Sequence, residues 1–130
     1  MRYLLDTDSV SYSLRGQGGV GARITSQRPS ELCISSITLA ELRFGADRRR
    51  SRKLHGLIDT FISAVEVAPF DEAAATQFGK LGSALAAKGT PIGEFDVLIA
   101  AHAVSLRCVL VTNNLRHFSK VPGLKVENWL

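Results

Sequence analysis

Apolar residues gather in four short runs, one of them interrupted by Glu66, separated by longer stretches where they recur every three or four positions. The runs are residues 2–5 ("RYLL"), 31–35 ("ELCIS"), 65–68 ("VEVA") and 108–112 ("CVLVT"). Unbroken runs of this length suit strands covered on both faces. The intervening segments predict helices over 7–15, up to about Ser26, and over 36–46, 52–64, 71–88 and 94–106. Thr7 or Asp8 would cap the first, Ser36 or Thr38 the third, with a turn near Asp47. Gly16, Gly18, Gly19 and Gly21 mark a loop, Gly89 ends the 71–88 helix, and "TPIG" at 90–93 breaks the chain. "LKVENW" at 124–129 is a candidate fifth strand at an edge. Strands alternating with helices predict an α/β fold, a three-layer α/β/α sandwich around a four- to five-stranded parallel sheet.

The 71–88 helix carries two stripes at helical spacing. Ala74, Phe78, Leu81 and Leu85 form a large apolar one; Ala75, Gly79, Gly82 and Ala86 form one of small residues suited to close helix approach. The 94–106 helix is apolar on nearly every side and is expected to be buried.

In open parallel sheets, ligands bind beyond the carboxyl ends of the strands. Asp6 and Asp8 follow the first run; Ser35, Ser36 and then Glu41 follow the second; Thr112, Asn113 and Asn114 follow the fourth. Glu41 shares a helix face with Ile37, Ala40 and Phe44, where a carboxylate is costly unless paired or bound to a cation. An edge position in water, or a pair with Arg43, would also satisfy it. Asp96 opens an otherwise apolar helix. It and Glu94 could simply interact with the positive helix end. The parallel-sheet reading nevertheless sends Asp6, Glu41 and Asp96 to one edge. Three gathered carboxylates repel, and a hard divalent ion, Mg²⁺ or Mn²⁺, is their natural partner. His55, His102 and His117 lack metal-ligand spacing, and no zinc site is expected.

Charge sharpens the picture. Residues 1–65 hold ten Lys/Arg and six Asp/Glu, whereas residues 66–130 hold six of each. The whole net charge of +4 therefore lies in the first half, and "RRRSRK" at 48–53 supplies five of its cations. That favours a polyanionic partner. A carboxylate-held divalent ion beside a basic half points to phosphodiester chemistry. No nucleophilic Ser or Cys with a base, and no Gly-rich phosphate loop, competes with that reading. Length fits one domain over 1–130. Without a long apolar span or a signal-peptide pattern, and with Cys33 and Cys108 in apolar runs as free thiols, a cytoplasmic protein away from membranes is expected.

Four segments, "YLLDTDSVSYSL", "CISSITLAELRFGA", "KGTPIGEFDVLIAAHA" and "VLVTNNLRHFSKVPGLKVENW", resemble in order those of PIN-domain ribonucleases of the VapC toxin class, from bacterial toxin–antitoxin pairs. The resemblance implies a PIN-like sheet with an acidic pocket and one or two Mg²⁺ or Mn²⁺ ions held by Asp6, Glu41 and Asp96. It implies hydrolysis of structured RNA, tRNA or ribosomal RNA, leaving a 5′-phosphate and arresting growth. It also implies a homodimer and a VapB-type antitoxin that blocks the groove. Where the family often has a further acid, this chain has "TNNLRHF", with Asn114 able to orient a water but bringing no charge. Asp8 stands where Asn is common and reads as a cap or a support for the ligands. Glu94 and Thr112 are auxiliary candidates, and Arg43, Arg48, Arg49 and Arg50 could meet RNA phosphates or an acidic antitoxin segment.

Two other readings compete. "DTDSV" resembles the strand-end Asp-x-Asp of haloacid-dehalogenase-type phosphatases, but residues 107–130 lack the later acidic pair that chemistry needs. A PIN-like domain that binds RNA or protein without cutting would explain Asn114, but not the retention of all three central acids.

Overall fold

The structure is a computed structural model and describes residues 2–89 and 92–130; Thr90 and Pro91, within the expected break at 90–93, lie outside that set. Five strands, Tyr3–Leu5 (β1), Leu32–Ser35 (β2), Glu66–Ala68 (β3), Val109–Val111 (β4) and Val126–Glu127 (β5), pair in parallel in the order β3-β2-β1-β4-β5. Between them run helices Thr7–Leu14 (α1), Val20–Thr25 (α2), Ser36–Arg48 (α3), Arg52–Ala64 (α4), Glu72–Ala87 (α5), Glu94–Leu106 (α6) and Leu115–Phe118 (α7).

The three layers follow from the strand pattern. Successive side chains on a strand point to opposite faces. Leu4, with Cys33 and Leu110, packs on one face against Leu81 and Leu85 of α5 and Ile99 of α6. Leu5, with Ile34 and Val111, packs on the other against Val10 of α1, Leu42 of α3 and Ile58 of α4. Both faces are covered at β1, β2 and β4, which is why those runs do not alternate with polar residues, whereas the edge strand β3 leaves Glu66 exposed. Cys33 and Cys108 are buried free thiols. Among the described residues no helix is long and apolar enough to cross a membrane.

Several boundaries differ from the sequence reading. The caps lie one residue earlier than expected. The Asp6 side chain, not Thr7 or Asp8, caps α1 by accepting from the Ser9 N–H, and Ser35, not Ser36 or Thr38, caps α3. Each is the last polar residue before the turn into the helix, still extended, which is the backbone an N-cap needs. Helix α3 runs through Asp47 to Arg48 rather than turning there, and α7 is an addition in a segment too short to show periodicity. In α5 the large apolar stripe faces the core, while the small residues are exposed except for half-buried Gly82, where an added Cβ would sit 4.0 Å from Val97 of α6.

Ser35 ties the cap to the core. Its Oγ accepts the Ile37 N–H at 3.0 Å and is hydrogen-bonded to Nδ1 of fully buried His102 at 2.8 Å. Burial pushes the His102 pKa down, so the ring is held neutral and needs that partner. Ser35→Ala should lower stability by about 1–3 kcal/mol, from a lost cap and an orphaned ring nitrogen. Urea denaturation reads this out; a change under about 0.5 kcal/mol, as at an ordinary surface site, would contradict it.

Candidate active site

The chain reverses its direction across the sheet between β1 and β4: β2 and β3 build outward on one side of β1, β4 and β5 on the other. That switch point opens a crevice at the strand carboxyl ends. Asp6 leaves β1 there and Thr112 leaves β4. The Asp6 N–H donates to the Val111 carbonyl at 3.0 Å, stitching the two strand ends together. Asp6 is 5% exposed, and Thr112 is fully buried. The Asp6 carboxylate accepts from the Ser9 N–H at 2.8 Å and from the Thr112 hydroxyl. Thr112 in turn accepts the Asn114 N–H at 3.0 Å.

Glu41 comes from the second turn of α3. Helix α3 buries Thr38, Leu42 and Ala46, so the face carrying Ile37, Ala40, Glu41 and Phe44 is turned partly outward, not into the core as its apolar pattern suggests. Glu41 is half-buried there. Its Oε1 accepts from the Thr7 hydroxyl at 2.6 Å, and the Thr7 oxygen lies 3.2 Å from the buried Thr38 hydroxyl. With its own proton on Glu41, Thr7 is left to accept from Thr38, a two-hydroxyl chain that fixes the carboxylate. No pair with Arg43 forms. The Arg43 guanidinium is engaged by Asp59 and His55, and His55 Nε2 is bonded to Asp47 at 2.8 Å.

Asp96 lies in the first turn of α6, with one oxygen 3.5 Å from His117 Nδ1 on α7. His117 Nδ1 is also hydrogen-bonded to the Asn114 side chain at 2.9 Å. Asp8, exposed in the first turn of α1, and Glu94, exposed at the start of α6, stand at the rim. Arg48, Arg49 and Arg50 are exposed at the end of α3, and Arg49 lines a cleft of about 290 Å³ with Asp8 and Glu41.

Electrostatics bind these groups into one cluster. Burial pushes the pKa of Asp6 up, opposed by hydrogen bonds from Thr112 and Ser9, with Asp8 adding repulsion. Burial also raises Glu41, against the Thr7 bond, and Asp96, Asp8 and Asp6 raise it further. Asp96 is raised by burial, offset by His117 and reinforced by Asp8. Four carboxylates therefore sense one another across three elements. Among the described residues the only cation-forming side chain within ion-pair distance of any of them is His117 beside Asp96, a pair that exists only while the ring is protonated. Among the same residues no three His, Cys, Asp or Glu side chains form a ready metal cage. The donor set still fits a hard divalent cation: oxygen ligands only, more negative charge than the chain itself neutralises, and carboxylates that burial has made costly to ionise.

The sequence marks Thr7 and Thr38 only as possible helix caps. The spacing of Thr38 and Glu41, three apart on one helix, was the available signal for their shared surroundings.

A family model for the PIN domain matches residues 3–124. The chain belongs to the PIN-domain family. Within it, the chain is similar to VapC ribonucleases. It is 38% identical to the tRNA(fMet)-specific endonuclease VapC of Salmonella typhimurium, over 99% of this chain and 98% of that protein. It is 36% identical to ribonuclease VapC2 of Haemophilus influenzae, over 100% and 99% of the two chains. Solved structures agree. DNA-bound VapBC from Salmonella typhimurium superposes with a TM-score of 0.94 at 38% identity, covering 100% of this chain and 99% of that one. VapBC2 from Rickettsia felis, bound to a promoter DNA fragment, gives 0.90 at 33% identity, with both chains fully covered. As a PIN-domain chain of the VapC class, this protein carries its cluster on the elements that the shared fold brings to the switch point.

Proposed function

We propose that this chain is a divalent-metal-dependent endoribonuclease toxin that cuts structured RNA, tRNA foremost, and is held inactive by a VapB-type antitoxin. The carrying observation is the convergence of Asp6, Glu41 and Asp96, with Asp8 beside them, at the switch point of the sheet. The named relatives are ribonucleases, one of them specific for a tRNA, and the solved neighbours are toxin–antitoxin complexes.

Asp6, Glu41 and Asp96 would hold Mg²⁺ or Mn²⁺. A bound ion of this kind supplies Lewis-acid polarisation of the phosphoryl group and eases deprotonation of the attacking water. The chain's own contribution is placement. Ser9 and Thr112 fix Asp6; Thr7, backed by Thr38, fixes Glu41; His117 borders Asp96. In the net reaction water adds to phosphorus, the bond to the 3′ oxygen breaks, and the proton ends on that oxygen. The products carry a 3′-hydroxyl and a 5′-phosphate. Loss of a cut tRNA would stop translation and growth. A homodimer, assembling further with the antitoxin, completes the reading.

The test is to incubate the purified chain with total tRNA in Mg²⁺ and map new 5′ ends. The expected result is a 5′-phosphate end at one loop in one or a few tRNAs. Tight binding with no new ends would instead favour the non-cutting reading.

A further inference from the structure

Two exposed phenylalanines are unexplained by the cluster. Phe44 on α3 is 68% exposed, and Phe95 on α6, next to Asp96, is 55% exposed. Large aromatics this open are informative when they share a concavity. They do: with Thr7, Ala40 and Glu41 they line an apolar slot of about 470 Å³. Thr7 and Glu41 also line the neighbouring cleft of about 290 Å³, together with Asp8, Arg15 and Arg49. Among the described residues neither of these arginines makes an ion pair. The two depressions therefore meet at the acidic cluster: one is aromatic, with Glu41 as its one charged lining residue, and the other sets two arginines beside Asp8 and Glu41.

That division matches a nucleotide. Its base offers a flat π face, and its linkage carries the negative charge. Unpaired bases are commonly held by stacking on aromatic side chains, and stacking tolerates any base because every base has a π face. Resting on the ribonuclease reading above, we propose that Phe44 and Phe95 form a slot that stacks one unpaired RNA base beside the bond to be cut, while Arg15 and Arg49 carry the phosphates of the same strand. The slot would select single-stranded loop positions over duplex, whose bases are already stacked. It fits a small-molecule-sized ligand of this kind, since such sites run from roughly 300 to 1,000 Å³.

The experiment uses the full chain carrying Asp96→Asn, so that no strand is cut, and single-stranded RNA 12-mers with 2-aminopurine at one position in turn. Stacking should quench the fluorophore at one position. Phe44→Ala or Phe95→Ala should weaken binding roughly 5- to 150-fold and abolish the quench. Phe44→Tyr should keep both, and Phe44→Leu, which keeps bulk but not the π face, should keep neither. Both residues are exposed, so thermal melting should be unchanged. Arg15→Ala with Arg49→Ala should leave the quench but reduce the slope of log affinity against log salt by about 1.4, two contacts at roughly 0.7 each. Unchanged RNA affinity and quenching in the phenylalanine variants would overturn the proposal. That holds equally if those variants weaken only antitoxin binding, making the slot a peptide site, or shift only the mass by light scattering, making it a contact between copies. Failure of the wild-type chain to cut any RNA in Mg²⁺ would sink the ribonuclease reading itself, a separate result.

Discussion

Asp96→Asn should abolish RNA cleavage, by at least about 10³-fold in kcat/KM, while the metal-free protein melts a few °C higher than wild type. The two effects share one cause. Asp96 is half-buried at the start of α6, where burial and Asp8 disfavour its charge more than His117 favours it. Its pKa is raised in the folded chain, so ionising it weakens the fold. The stability it contributes is fully present below the unfolded carboxylate value, about 4, and is lost as pH rises through the raised value. Asparagine keeps the shape and removes the penalty at neutral pH. The excess in Tm should therefore shrink as pH is lowered toward about 4, where the wild-type carboxylate protonates. Asp6→Asn should behave alike, because an asparagine can still cap α1 through the Ser9 N–H. Sites that trade stability for function commonly gain stability when disarmed. Differential scanning calorimetry beside a cleavage assay reads both. Retained cleavage would remove Asp96 from the cutting machinery, and a lower Tm with lost cleavage would show that it serves the fold.

Removing the cation should have an equally large effect. Excess chelator should reduce cleavage to background, and Mg²⁺ or Mn²⁺ should restore it. The same ions should stabilise the wild type by mass action, about 2.7 kcal/mol at one hundred times the dissociation constant, or several °C in Tm. Glu41→Gln should shrink that rise, since Glu41 senses Asp6, Asp8 and Asp96 together. Full cleavage in chelator would end the metal reading.

How much of this was legible beforehand depends on range. Runs such as "RYLL" and "CVLVT" are local signals, and they placed β1 and β4 and the sheet that β1 centres. Asp6, Glu41 and Asp96 could be listed because the carboxyl ends of parallel strands share one side by construction. The caps were displaced by one residue because several polar residues stand in a row at each helix start, and only backbone conformation selects among them. The face of α3 bearing Glu41 was misjudged because Ile37, Ala40 and Phe44 look like a core stripe. The helix instead buries Thr38, Leu42 and Ala46, a choice set by what packs against it. For the same reason Phe44 and Phe95 were invisible as a pair: they are 51 positions apart and meet only through the sheet order. Arg43 looked free for RNA, but its partner Asp59 lies on a different helix.

The claim beneath all of this is that Asp6, Glu41 and Asp96 share a divalent cation. Anomalous diffraction from crystals of the wild-type chain grown in Mn²⁺ tests it most directly. The account predicts a manganese peak within ligand distance, about 2.0–2.3 Å, of oxygens from all three side chains. A peak elsewhere, or none at a concentration that supports cleavage, would contradict it.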